Sequence, residues 1–121
     1  MKSKREIKDD YREMKFKIGV FQIKNIDNNK IYVDSSIDLV AIWNRHRFQL
    51  KNGLHPNIYL QKEWSEFGEK KFIFEILSEI KQDATKSIDY RKEAKELEKM
   101  FIEELQPFDD SGYNLKAKSR Q

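Results

Sequence analysis

The sequence contains no cysteine, which excludes disulfide staples and thiolate-ligated metal centres. It has no apolar run near the ~20 residues of a membrane-spanning helix, and its charged start, MKSKREIKDDYREMK, lacks the apolar segment of a secretory signal. The expectation is a soluble, intracellular protein with no membrane partner. Its four glycines never cluster into a phosphate-cradling loop, and CxxC and HExxH are both absent. Nucleotide-cofactor and zinc-hydrolase readings therefore lose their main support. No internal repeat and no low-complexity segment occurs.

What is present suffices for one compact domain: 121 residues, 38% hydrophobic and 12% aromatic, with 37% charged residues to solvate the surface. The formal net charge is only +3, but its distribution is uneven. Residues 1–30 carry nine Lys/Arg against five Asp/Glu, whereas residues 65–112 carry eight against thirteen. The tail KAKSRQ is basic again. Such a division fits one face meeting a polyanion and the other meeting water, although ordinary solvated charge explains it equally well.

The chain opens with Ser3 and Glu6 at capping-box spacing and with Ile7, Tyr11 and Met14 on one helical stripe, which predicts a short N-terminal helix. FKIGVFQIKN then alternates in both registers, as expected of a strand buried on both sides. IDNNK supplies turn residues and IYVDS returns, giving a hairpin. Ser35, with Asp38 three residues on, is placed to cap a helix through about Lys51, stopped by Gly53. A second helix is predicted from near Pro56 to before Gly68. KKFIFEIL reads as a third strand. A long amphipathic helix follows from about Ser87 to Gln106, with Ala94, Leu97, Phe101 and Leu105 on its stripe and Pro107 at its end. GYNLK reads as a short extension. The expected fold class is a small α/β domain, a three-stranded sheet flanked by helices, with an extra N-terminal helix. Its divisions are a helical extension at 1–15, the domain at 16–115 and a basic tail at 116–121.

The segments GVFQIKNIDNNKIYV, WNRH, YLQKEW, FGEKKFIFEIL, LEKMFIEEL and GYN, in that order, resemble the GIY-YIG nuclease family found in phage homing endonucleases and nucleotide-excision repair nucleases. The resemblance spans roughly Gly19 to Asn114. It implies a three-stranded sheet flanked by helices and, in a phage or mobile-element setting, hydrolysis of DNA phosphodiesters. The family's site uses a magnesium ion, a glutamate ligand, tyrosines near the attacking water and an arginine facing the phosphate.

Carried over residue by residue, the resemblance makes Glu98 the metal ligand, for Mg2+ or Mn2+. On a helix its i−4 and i+4 neighbours are Ala94 and Ile102, which puts its carboxylate at the edge of the apolar stripe. A hard cation that keeps its waters and takes substrate phosphate needs few protein ligands. The alternative is one more surface glutamate in a helix rich in them. Tyr32 matches the tyrosine of the second half of the motif, or is a strand tyrosine packed by its ring. His46 and His55 match histidines of the homing members and are read as phosphate-contacting or proton-transfer groups. A capping or surface role serves His55 equally well. Asn114 matches the family's C-terminal asparagine, or is a turn former.

Three positions depart from the pattern. Phe21 stands where the family has tyrosine, and a phenyl ring cannot give, take or order a proton. Asp34 replaces a glycine and adds negative charge where phosphate approaches. Ile42 replaces the arginine. Arg45, about 60° away around the helix, is the candidate to act for it. Loss of a proton-transfer group typically costs ~10²- to 10⁴-fold, and loss of a transition-state donor ~10²- to 10³-fold.

The expected function is a nuclease-fold protein that binds nucleic acid, DNA first and RNA second, with cleavage impaired. Its surface centres on Arg45, Arg47 and Lys51, with His46 beside them and His55 and Asn114 added by the resemblance. The alternative is an active magnesium-dependent endonuclease with chemistry relocated to Tyr32, Arg45 and His46 beside Glu98. A third reading is a protein-interaction module using the acidic second half. Homing members attach a separate DNA-recognition domain, for which the tail after Asn114 has no room. A homo-oligomer would enlarge the footprint, but no residue pattern specifies one.

Overall fold

A computed structural model describes residues 16–116. The expected N-terminal helix and most of the basic tail lie outside the described residues.

Two strands, β1 (Gly19–Asn25) and β2 (Ile31–Ser36), form the hairpin. The turn is built from asparagine chemistry. Asn25 Oδ1 accepts from Asp27 N and Asn28 Oδ1 from Lys30 N, each at 3.0 Å. Asn29 takes the left-handed conformation (φ 64°) that asparagine tolerates better than most residues. Helices α1 (Leu39–Lys51) and α2 (Ile58–Phe67) follow, then β3 (Phe72–Glu79) and α3 (Tyr90–Leu105). The sheet order is β2-β1-β3, antiparallel throughout. The doubly buried reading of β1 thus becomes its central position, with Val20, Phe21 and Ile23 fully buried. Gly19 is required where β1 passes β3, because a Cβ there would strike the Ser78 carbonyl.

Several boundaries differ from the sequence expectation, each for a side-chain reason. Ser35 does not cap α1. It remains in β2, and Asp38 is the cap, accepting from Ala41 N at 3.1 Å. Pro56 lies outside α2, which Asn57 caps by accepting from Tyr59 N and Leu60 N. Lys70 and Lys71 form a 3₁₀ turn ahead of β3. α3 starts at Tyr90 behind the Asp89 cap, and it ends at Gln106 in the left-handed conformation, just ahead of Pro107.

One face of the sheet packs against α1 and α2 through Phe21, Ile23, Leu39, Leu50, Leu60, Trp64, Phe72 and Tyr113. Fully burying an aromatic or large aliphatic side chain contributes roughly 1.5–3 kcal/mol, so this cluster is the main source of stability. α3 packs on the opposite face against β2 and β1, where Val20, Val33 and Ala94 are buried.

The C-terminal segment is more than an extension. Gly112 bridges Ile31 in parallel, Tyr113 N donates to Ile31 O at 2.9 Å, and the Tyr113 side chain is 1% exposed. A Cβ on Gly112 would collide with the carbonyls of Pro107 and Ile31, so only glycine allows this approach. The segment covers the outer edge of β2 up to Val33 and leaves the end of that strand open to α3.

Candidate active site

β2 alternates its side chains, and that alternation organises the site. Tyr32 and Asp34 point to the face of α1, while Val33 and Ser35 point to α3. His46, on the buried side of α1, brings its ring to 5.7 Å from Tyr32 and 5.6 Å from Phe21, measured between centroids. His55, in the loop ahead of α2, stacks on His46 at 5.0 Å and meets Tyr32 edge-on at 5.9 Å. Tyr32, His46 and His55 thus form one polar and aromatic cluster in which both histidines are buried.

The hydrogen bonds through the histidines run in one direction. Asn57 N donates to His55 Nδ1 at 3.0 Å, so the His55 proton lies on Nε2. That nitrogen is 2.8 Å from His46 Nδ1 and donates to it. With Nδ1 accepting, the other ring nitrogen of His46, Nε2, faces Asp34 Oδ2 at 3.5 Å. This gap is too long for a formed hydrogen bond, and buried His46 Nε2 has no other partner among the described residues. Burial, with the neighbouring His46, pushes the His55 pKa down to about 4, so the ring that begins the series stays neutral near pH 7.

Glu98 approaches from α3. Its Oε1 accepts from Ser35 Oγ at 2.7 Å and from Lys95 Nζ at 3.3 Å. Lys95 Nζ also lies 3.8 Å from Asp34 Oδ1. One ammonium thus draws the Asp34 and Glu98 carboxyls together at the open end of β2. Burial and the adjacent Asp34 raise the Glu98 pKa, against the pull of Ser35 and Lys95. Burial also works to raise Asp34, but His46, Glu98, the Ser35 N–H and Lys95 together hold it below the ordinary aspartate value. The Tyr32 phenol is raised by burial first, then by the charges of Asp34 and Glu98. Tyr32 is therefore protonated across the physiological range.

The structure brings Tyr32, Asp34, His46, His55 and Glu98 together. It sets the remaining candidates apart. Arg45 is exposed and has no hydrogen-bond or ion-pair partner among the described residues. Arg47 is 3.3 Å from Glu69 and lies over the Trp43 ring, and Lys51 is 3.6 Å from the same Glu69 oxygen. Both polar atoms of the Asn114 amide are taken by Val33, accepting from its N–H and donating to its carbonyl, each at 2.8 Å. Asn114 thereby completes the β2 edge between Tyr32 and Asp34. This is a positioning role, and it leaves one acceptor lone pair on Oδ1 and one N–H on Nδ2 uncommitted. Phe21 is fully buried, packed on His46 and on Phe74 at 4.9 Å. Ile42 packs at the margin of the core.

Sequence reasoning missed Ser35, Lys95 and Asn57. Lys95 was detectable, since a lysine at i−3 from a glutamate faces it on a helix. Asn57 had the ordinary signal of a cap residue ahead of an apolar run. Ser35 had none beyond strand alternation.

A carboxylate whose side chain is 17% exposed suits one ligand of a hard divalent cation, so Glu98 fits the metal that the family resemblance implies. No group of three or more His, Cys, Asp or Glu side chains that could cage an ion exists among the described residues. Substrate and water would have to complete its shell. Such an ion supplies charge stabilisation at a phosphate. The chain's own contribution is an ordered row of donors, Tyr32 and His46, beside that carboxylate. A cleft of about 620 Å³ lies between α2 and the C-terminal segment, and none of Tyr32, His46, His55 and Glu98 lines it. The cluster is therefore not the floor of that small-molecule-sized cavity.

Comparison with known proteins agrees with this architecture. A sequence model described as the GIY-YIG catalytic domain matches residues 17–114. The chain is 38% identical over 99 residues to intron-associated endonuclease 1 of Enterobacteria phage T4, covering 82% of this chain and 37% of the relative's length. Two solved structures of the catalytic domain of the intron endonuclease I-TevI superpose on it. For a mutant form the TM-score is 0.69 at 34% identity, over 86% of this chain and 98% of that one. For the other the TM-score is 0.68 at 35% identity, over 83% and 99%. The order of elements, the assembled cluster and these matches lead to one conclusion: the chain belongs to the GIY-YIG nuclease family and is homologous to a phage intron endonuclease catalytic domain.

Proposed function

We propose that this protein binds nucleic acid, DNA in the first place, on the side where α1 presents Arg45, and that its capacity to cleave phosphodiesters is strongly impaired. The observation that carries the impairment is the fate of Phe21 and Ile42. Both side chains are apolar and engaged in packing. Phe21 is 0% exposed and Ile42 packs on the apolar cluster. A hydroxyl and a guanidinium have been exchanged for packing.

Binding draws support from the uneven charge and from unpartnered Arg45. Arg47 and Lys51 contribute less, since both are drawn to Glu69. RNA remains the second substrate class. A second functional reading, an active magnesium- or manganese-dependent endonuclease, is favoured by one observation: Tyr32, His46, His55 and Glu98 stay assembled. Arg45 would then serve in place of the missing arginine.

Both readings meet in one experiment. Purified protein is incubated with supercoiled and branched DNA, with Mg2+, with Mn2+ and with chelator, while binding is followed across a salt series. The expected result is binding that weakens steeply with salt, because phosphate contacts release counterions, and no nicking in any condition. A chelator-sensitive nick that disappears in Arg45→Ala establishes the second reading instead.

A further inference from the structure

We propose that Asp34 and Glu98 together form a two-carboxylate site for one hard divalent cation, magnesium or manganese, at the open end of β2. Asp34 is this chain's own addition, standing where the family pattern has glycine. Three observations carry the inference. First, the two carboxyls come from different elements, β2 and α3, yet converge on a single cation. One ammonium, Lys95 Nζ, spans both, 3.3 Å from Glu98 Oε1 and 3.8 Å from Asp34 Oδ1. The place between them thus already attracts positive charge. Second, His46 is 5% exposed, and its Nε2 has no hydrogen-bond partner although it is aimed at Asp34 Oδ2 from 3.5 Å. A donor held in reserve behind a carboxylate is the arrangement that orients metal-ligating carboxylates from outside the coordination shell. Third, the donor set is all oxygen. Magnesium is commonly held by one or two carboxylates, with waters and phosphate completing an octahedron.

Lys95 does not close the site. Its side chain is 60% exposed, so the ammonium can move into water at little cost when a divalent ion enters. A second carboxylate also neutralises more of the ion's charge before a phosphate arrives. The site would hold metal better than one glutamate does, and it would polarise phosphate less. It thereby adds a cause to the impairment proposed above without depending on nucleic-acid binding.

The test titrates Mn2+ into the full chain without nucleic acid and follows the electron paramagnetic resonance signal of the free ion. The parent is expected to take up one Mn2+, with Mg2+ competing. Asp34→Asn and Glu98→Gln are each expected to weaken uptake about tenfold or more, with circular dichroism confirming the fold. Asp34→Gly provides the same reading should the asparagine variant fail to fold. Uptake by either Asp34 variant as tight as the parent's overturns the proposal, as does no uptake by the parent at millimolar ion. Since no DNA is present, failure here leaves the nucleic-acid reading standing, and absence of DNA binding leaves the metal site standing.

Discussion

The site has two sides of opposite chemical character. On the side of β1 and α1, Phe21 and Ile42 pack in continuity with Leu39, Leu50 and Phe74. On the side of β2 and α3, Asp34 brings a charge that is joined to Glu98, Lys95 and His46. The first side buries apolar surface and offers no donor at these two positions. The second concentrates charge. A core rarely tolerates an unpaired polar atom, and among the described residues His46 Nε2 is such an exception, whereas the open end of β2 can take charge because Lys95 and solvent reach it.

The sharpest way to test the contrast is stability. Phe21→Ala removes a fully buried ring between His46 and Phe74, and it should cost about 3–5 kcal/mol. Asp34→Asn keeps the volume at a strand edge where the side chain is 22% exposed, and should cost about 1 kcal/mol or less. Urea denaturation of both variants checks the pair. Equal losses would erase the distinction between the two sides.

A test of activity comes next. If packing on one side and charge on the other both suppress cleavage, reversing them together should restore it. The triple variant Phe21→Tyr, Ile42→Arg, Asp34→Gly is expected to nick plasmid at least about 10²-fold faster than the parent in the presence of metal. Adding Glu98→Ala should abolish the gain. Ile42 lies at the margin of the core, so an arginine there can direct its guanidinium to solvent. Phe21 is enclosed, and its new hydroxyl must find a partner. Asp34 pairs with Phe21 across the β1–β2 register, so Asp34→Gly also removes the side chain facing it on the neighbouring strand. A folded triple variant that does not cut would locate the impairment beyond these three positions.

How much of this was readable beforehand differs between the fold and the site. β1, β3 and α3 were legible because their apolar periods are local and unambiguous. Ser35 was misread as a cap because its spacing to Asp38 mimics a capping box, while its hydroxyl is engaged 63 residues away by Glu98. Gly112, Tyr113 and Asn114 read as a short extension for a similar reason. Their partners, Ile31 and Val33, are some 80 residues earlier, and no local pattern signals a segment that completes a strand edge. In the site, the resemblance supplied Tyr32, His46, His55 and Glu98. The meeting of Asp34 with Glu98 depends on β2 being an edge strand, which strand order decides and sequence period does not.

Between stability and recognition lies an effect of pH. His55 has a folded-state pKa of about 4 against an ordinary 6.5, so the unfolded chain binds the extra proton between those values. Stability from this group is complete above about pH 6.5 and is lost as pH falls towards 4, on the order of 3 kcal/mol in all. Glu98, raised in the fold, works the other way at the acid end, where its neutral form favours the folded state. Thermal melts of the parent and of His55→Gln across pH 4–7 check the sign. The variant should show a flatter profile over this window.

The smallest effect tests which basic residues are free to meet a polyanion. Arg45 is exposed and unpartnered among the described residues. Arg47 has a carboxylate at 3.3 Å and an aromatic face beneath its guanidinium. To contact phosphate, Arg47 must leave Glu69, so part of any gain offsets an interaction already made, whereas Arg45 exchanges only water. Arg45→Ala should therefore weaken duplex binding several-fold and reduce the slope of log affinity against log salt by about 1. Arg47→Ala should change both by less. Fluorescence anisotropy over a salt series measures the two quantities together. If Arg47→Ala has the larger effect, Glu69 has released it on binding, and the nucleic-acid surface extends from α1 to the turn that precedes β3.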